Sequence, residues 1–383
     1  MDFGYSDEQQ LLLESIDDFF EQNPQFNEQY IRECETAHLP LTEYNQAFLD
    51  AGFGSMGIPE QYGGTEVDMQ TICAMAMHVN KHGFPANVGN VLQIGDILAF
   101  GSEEQKADIM DCFLNNKKGF SLALSEPQAG SDSNAITTSY ERKDGKIVIN
   151  GHKAFTTDGD RAKYILVMAR DFSIDEKPYK SMSCFLVPTD APGVTFEPLH
   201  KLGELRSSCC ETYFENVVID ENAMVGPEHQ GFLVVMKNFE LERLVIAAEC
   251  VGRAECAYGD ALVYATQREQ FGKKIGQFQL VEEMLVNMRI KIDNMRNSVL
   301  KTAWEYDNKQ SIKVSAALSK LYCARSSQEV IDDAMQILGG IGYMDDHRVT
   351  RLWRAARMYR IAGGTDQIMI YVAGKDIQKE VTR

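Results

Sequence analysis

Three stretches of the chain combine residue types at spacings that can do chemistry. In Phe239-Glu-Leu-Glu-Arg-Leu-Val245, two carboxylates and a guanidinium fall close together. A carboxylate so placed is a candidate proton acceptor. On a helix Glu240 and Glu242 stand about 200° apart, so at most one of them faces a given site. Without further context the stretch reads as solvated neighbouring charges, worth little to stability. The second stretch, Ala123-Leu-Ser-Glu-Pro-Gln-Ala-Gly-Ser-Asp-Ser-Asn-Ala135, leaves a strand as an irregular loop. Its N–H groups and hydroxyls suit a diphosphate, although many turns share that composition. The third, Gly339-Gly340-Ile341-Gly342, has the glycine density of a dinucleotide fingerprint, which must follow a strand and open a helix. Here it follows a helix and lacks its third glycine, so a Rossmann site is disfavoured.

Other candidates are weaker. His78 and His82 lie at i,i+4, but no carboxylate follows His78 as an HExxH site requires, and no metal is expected. The nine cysteines, including the adjacent Cys209 and Cys210, contain no CxxC pair and read as buried reduced thiols. Lys and Arg number 38 against 56 Asp and Glu, a net charge of −18. So acidic a surface repels a phosphate backbone, which argues against nucleic acid. No apolar run approaches the ~18 residues of a membrane span, and MDFGYSDEQQ lacks the basic and apolar regions of a secretory leader. A cytoplasmic protein with no membrane partner is expected.

The elements that must hold these residues fall in the order α, β, α. Residues 1–119 read as helical: Ser6 with Gln9 resembles a capping box, and Leu12, Leu13, Ile16, Phe19 and Phe20 form a helical stripe. AGFGSMGIPEQYGG breaks the pattern, which resumes around Asp68–Lys81, Asn90–Phe100 and Glu103–Leu114. Residues 120–230 contain short runs rich in Val, Ile, Phe and Tyr, with Asp144-Gly145 as a hairpin signal, and predict an antiparallel barrel or sandwich. Residues 231–383 return to long helices over Phe232–Gln267, Leu280–Asn308 and Ile312–Leu338, which predict a bundle. The fold class is thus mainly α with a central β domain.

Five motifs in this order resemble the acyl-CoA dehydrogenase family. ALSEPQAGSDSNA resembles its flavin loop, Ser/Thr-Glu-x-x-Ala-Gly-Ser/Thr-Asp. MGIPEQYGG, INGHKAFTTDG, TQREQFGKKIGQFQ and QILGGIGYMDDHRVTRLWR match four further stretches, so the resemblance spans essentially the whole chain. It implies FAD, an acyl-CoA substrate, an electron-transferring flavoprotein as redox partner, and a homotetramer or dimer sharing its cofactor sites. Leu122, Leu124 and Ser125 would lie along the isoalloxazine edge, and Ser131 would bind the diphosphate and ligand. Phe155, where the family often has Trp, would stack on the flavin, with Thr157 near N5. Arg268, Phe271, Gln279, Gln336 and Gly340 would bind the adenosine diphosphate half across subunits, and Thr365 and Gln367 would contact the same cofactor. Ala355 departs from the usual acidic residue, and Ala362 is small where many relatives have Tyr.

The resemblance leaves one position to resolve. Most members carry the catalytic Glu immediately before Gly-Thr, where this chain has Gly363. A minority carries it in a helical Leu-Glu-Arg-Leu stretch, which places the base at Glu242 and ligand contacts at Glu240 and Arg243, with Glu240 the alternative base. In the family the residue at 363 also offers its backbone N–H, with a flavin ribityl hydroxyl, to the thioester oxygen, and glycine retains that N–H. The activity implied is α,β-desaturation of an acyl-CoA. SSCCETYFENV also resembles crotonobetainyl-CoA reductase-like relatives, which run the chemistry in reverse. Gly363 keeps a third alternative open, a catalytically silent FAD- or acyl-CoA-binding homologue. Anionic ligands on so acidic a chain require local cations, for which Arg243 and Arg268 are the candidates.

Overall fold

The computed structural model describes residues 4–86 and 89–379. The first three residues of the leader reading and the last four of the third segment lie outside the described residues. Six helices come first: α1 (Asp7–Gln22), α2 (Glu28–Thr36), α3 (Thr42–Asp50), α4 (Met69–Lys81), α5 (Gly89–Phe100) and α6 (Glu103–Leu114). The α1 capping box forms, with Gln9 N donating to Ser6 Oγ at 3.2 Å and Ser6 N to Gln9 Oε1 at 3.1 Å. Leu13, Ile16 and Phe19 of its stripe are buried, while Leu12 and Phe20 pack against the same core. The glycine-rich connection holds short 3-10 turns at Phe53–Ser55 and Glu60–Tyr62.

Eight strands follow: β1 (Phe120–Ala123), β2 (Ser139–Lys143), β3 (Lys146–Thr157), β4 (Tyr164–Arg170), β5 (Met182–Pro188), β6 (Val194–Pro198), β7 (Cys209–Asp220) and β8 (Met224–Val225). They make one sheet in the order β6-β7-β3-β2-β4-β5-β8, with β1 beside β4. Asp144 and Gly145 both adopt positive φ (53° and 73°) between the paired Lys143 and Lys146, as a type I′ hairpin requires. The purely antiparallel expectation needs correcting. β1 runs parallel to β4 from Phe120↔Tyr164 to Ala123↔Val167, so the sheet is mixed. The cause is topological: the irregular loop after β1 carries the chain away before the hairpin begins, and no tight turn fixes an antiparallel return.

The chain ends in α7 (Gly231–Gln267), a small ladder of β9 (Glu269–Gln270) and β10 (Lys273–Lys274), α8 (Gln279–Asp307), α9 (Lys313–Leu338), α10 (Arg348–Tyr359) and α11 (Asp366–Ile377). The last two helices had no counterpart in the sequence reading. One apolar core joins α1, α3 and α4 to α7, α8 and α9, so the first and third segments share an interior. Asp307 of α8 reinforces that junction by accepting from Met69 N (2.9 Å) and Gln70 N (3.1 Å) at the start of α4. The glycine cluster at 339–342 follows α9, with Gly339 as its C-cap at φ 62°, which agrees with the rejection of a Rossmann turn. All nine cysteines are free thiols, eight of them buried. No described helix is long and apolar enough to cross a membrane.

Candidate active site

Glu242 lies on α7 and Gly363 in the turn between α10 and α11, 121 positions away in sequence yet adjacent in space. Gly363 (φ 64°) and Gly364 (φ 100°) both occupy left-handed backbone, which glycine enters without the steric penalty of a β-carbon. A β-carbon built on Gly363 would stand 3.9 Å from Glu242 Oε1 and only 2.8 Å from Ile246 Cδ1. Two cations hold this turn by its carbonyls. Arg243 Nε donates to Gly363 O at 3.3 Å, and Lys320 Nζ, from α9, donates to Gly364 O at 2.6 Å. With both carbonyls turned onto cations, the Gly363 N–H has no acceptor among the described residues.

Electrostatics sets the carboxylate's character. Burial raises the Glu242 pKa, with Arg243 and Lys320 opposing the shift. Glu240 is raised too, again by burial, against Arg243 and Lys313. Burial lowers Lys320 to about 8. Asp96 of α5 completes the group: buried, with Oδ1 lacking any hydrogen-bond partner, it is pushed up to about 8 by desolvation and the Glu242 charge. Sequence reasoning missed Asp96 and Lys320. The signal was present, because each interrupts an apolar helical run, Asp96 in IGDILAF and Lys320 in AALSKLYCA.

A second cluster builds a wall from β1, its loop and β3. Leu122 and Leu124 are partly buried against the core beneath the sheet, Ser125 is half-buried, and Ser131 is exposed at the loop tip. A buried ion pair clamps the loop to β3. Lys153 Nζ donates to Glu126 Oε1 at 2.8 Å and to Leu124 O at 3.1 Å, with both side chains shielded from water. Glu126 also accepts from Thr137 N (2.6 Å) and Thr138 N (2.9 Å). Burial would raise its pKa, but the Lys153 charge and these donors hold it down near 2. Ser125 O accepts from Ala154 N at 2.8 Å, and Ser121 Oγ donates to Thr157 O at 2.7 Å. Between these ties the β3–β7 register slips, and Phe155 takes φ 59° with 67% of its surface exposed. Phe155 therefore presents an exposed aromatic ring from left-handed backbone on a bulge. Thr157 is exposed beside it. The wall fits a planar, hydrogen-bonding aromatic cofactor. The Glu126–Lys153 pair was also missed by the sequence reading, although both residues lie inside quoted motifs.

The remaining predicted residues occupy other surfaces. Arg268 follows α7, and Phe271, 95% exposed at φ 51°, tips the β9–β10 turn. Gln279 opens α8, while Gln336 and Gly340 lie exposed at the end of α9. Thr365 caps α11 by accepting from Ile368 N at 3.3 Å, and Gln367 is exposed in its first turn. The structure gives none of these seven a bond to Glu242 or to the β3 wall. Ala355 is buried on α10, its backbone packed closely against Gly203.

A helical shell on a mixed sheet thus presents a half-buried carboxylate against a Gly-Gly turn, and an exposed aromatic on a bulged strand. Models of the acyl-CoA dehydrogenase N-terminal, middle and C-terminal domains match residues 6–116, 121–217 and 229–378. The chain belongs to the acyl-CoA dehydrogenase family. It is 48% identical over 382 residues to the probable acyl-CoA dehydrogenase YdiO of Escherichia coli K12, covering 99% of both chains. Butyryl-CoA dehydrogenase from Megasphaera elsdenii superposes with a TM-score of 0.90 at 29% identity, covering 99% of this chain and 100% of that one. A chain from a structure described as the electron transferring flavoprotein of Acidaminococcus fermentans gives 0.91 at 29% identity, over 98% and 99%.

Proposed function

We propose that the protein is an FAD-dependent acyl-CoA dehydrogenase whose base is Glu242. The observation that carries this reading is the 3.9 Å between Glu242 Oε1 and the β-carbon position of Gly363. The carboxylate reaches, from α7, the space a side chain at 363 would enter. Glu242 takes the α-proton of the bound thioester, and its pair of C–H electrons becomes the new double bond. The Gly363 N–H donates to the thioester oxygen as negative charge develops there. Arg243 and Lys320 act as positioning residues, since each fixes a carbonyl of the turn and so aims that N–H. FAD, when bound, supplies the hydride acceptor for the β-hydrogen.

FAD would rest on Leu122, Leu124, Ser125, Phe155 and Thr157, with Ser131 at its diphosphate and Thr365 and Gln367 nearby. Arg268, Phe271, Gln279, Gln336 and Gly340 would serve the adenosine end in a neighbouring subunit. The exposure of Phe271 and Leu280 (95% and 77%) supports such a subunit contact in a dimer or tetramer. We assign residues 1–119, 120–230 and 231–383 as the domains, an electron-transferring flavoprotein as the redox partner, and the cytoplasm as the compartment.

The test is anaerobic titration of the yellow holoenzyme with saturated acyl-CoAs of graded chain length. Bleaching of the flavin absorbance by one class identifies the substrate. A flavin that no acyl-CoA bleaches, but that an enoyl-CoA reoxidises after chemical reduction, assigns the reductive direction to the same residues. Neither response would mean a silent binding homologue.

A further inference from the structure

Outside the flavin region, the structure supplies what the His78–His82 spacing lacked. Asp17 of α1 reaches across to α4 and places Oδ1 2.8 Å from His78 Nε2 and 2.8 Å from His82 Nε2. The three ligand atoms all lie within 4.8 Å of one another. The imidazoles do not stack; their planes cross at 70° with centroids 5.4 Å apart, so their Nε2 edges converge. Phe20, one turn beyond Asp17, stacks on His82 at 4.3 Å and 16°, which fixes that ring's orientation. The side chains are 14%, 28% and 46% exposed for His78, His82 and Asp17, leaving an open side for entry.

We infer that Asp17, His78 and His82 form a binding site for a divalent transition-metal ion of the zinc class, bridging α1 and α4. Two imidazole nitrogens and one carboxylate oxygen suit a borderline ion such as Zn²⁺, with water in the fourth position. Metal–ligand bonds of about 2.0–2.1 Å in a tetrahedron need ligand separations of roughly 3.3 Å. The two 2.8 Å contacts lie inside that separation, and the two Nε2 atoms, within 4.8 Å of each other, close the triangle. The i,i+4 spacing puts His78 of α4 and its C-cap residue His82 on one face, while α1 supplies a ligand from elsewhere in the chain, so the ion ties the two helices together. The net charge of −18 favours a cation at such a surface. Each neutral imidazole coordinates through Nε2 with its proton carried on Nδ1, so the hydrogen bonds to Asp17 are exchanged for coordination.

Chelator-washed holoenzyme, with Cys34 replaced by Ser to remove the one thiol that is not buried, is titrated with Zn²⁺ by calorimetry. Saturable binding of one ion per subunit, with a raised melting temperature, is expected. H78Q and H82Q should lose that binding at the same concentrations while retaining flavin bleaching by acyl-CoA, which separates this site from the proposed base. No saturable heat with the starting protein, or undiminished binding by both variants, overturns the inference. Should either variant fail to fold, zinc X-ray absorption on the unsubstituted site decides: imidazole and oxygen scattering supports it, and sulfur ligation overturns it.

Discussion

The carboxylate of Glu242 and the α-carbon of Gly363 face one another across the junction of α7 with the α10–α11 turn, Oε1 lying 3.9 Å from where a β-carbon on Gly363 would be. The proposed base is thus carried on a 37-residue helix rather than on the turn. Glu242→Gln is isosteric and removes the acceptor. Turnover should fall by about 10²–10⁴-fold, the usual contribution of a positioned base, with flavin content unchanged. Glu240→Gln is the control, expected within about tenfold of the starting rate. The reverse ranking would transfer the role to Glu240.

Gly363 is constrained by more than the missing carboxylate. At φ 64° any other residue is strained, and its β-carbon would meet Ile246 Cδ1 at 2.8 Å. Gly363→Ala should cost about 1–3 kcal/mol of stability in denaturant unfolding. Gly363→Glu adds like charge beside Glu242, which disfavours ionisation of both. Its residual activity should have an acid limb displaced upward in pH. An unmoved limb would mean the two carboxylates do not share the site.

How these positions were legible differs from residue to residue. Ser6, Asp144 and Gly145 act through neighbours one to three positions away, so a capping box and a hairpin can be read from sequence alone. Glu242 and Gly363 became legible only by comparison with a family pattern, because nothing local links residues 121 positions apart. The parallel β1–β4 pairing and helices α10 and α11 were hidden for a related reason: they depend on which distant surfaces are left to cover. Lys320 and Asp96 left a visible mark as charges in apolar runs. Reading that mark as function required knowing that both runs pass Glu242.

Lys320 contributes charge as well as a hydrogen bond. Its ammonium lowers the Glu242 pKa against burial. Lys320→Met should therefore shift the acid limb of the rate profile to higher pH, because more hydroxide is then needed to ionise the base. The deficit should shrink as pH rises, because Glu242 then ionises in either protein and Lys320, lowered to about 8, gives up its own charge. A uniform deficit at every pH would leave Lys320 only its hold on Gly364.

Asp96 predicts a pH-dependent stability of defined sign. Its folded pKa is raised to about 8, so between the ordinary carboxylate value of about 3.9 and pH 8 the folded state retains a proton the unfolded chain has released. The relative stability conferred by that proton is fully present below pH 3.9 and is lost progressively up to about 8. Asp96→Asn removes the titration. It should be close to neutral at pH 4 and stabilising at pH 8 and above, as measured by urea unfolding at each pH. An equal change at both values would place Asp96 in contact with water.

Phe155 offers a separation of strain from contact. Its left-handed backbone costs about 1–3 kcal/mol in a bulky residue, and the exposed ring recovers nothing from the protein interior. Phe155→Ala deletes the ring but keeps a β-carbon, whereas Phe155→Gly also releases the backbone. Both should weaken flavin binding to a similar extent, measured by fluorescence titration of the flavin-free protein. In denaturant unfolding of that same form, the glycine variant should be more stable than the alanine variant by about 1 kcal/mol, the difference that left-handed backbone imposes on a β-carbon. Equal stabilities would mean that residue 155 is not held in left-handed backbone in the flavin-free chain.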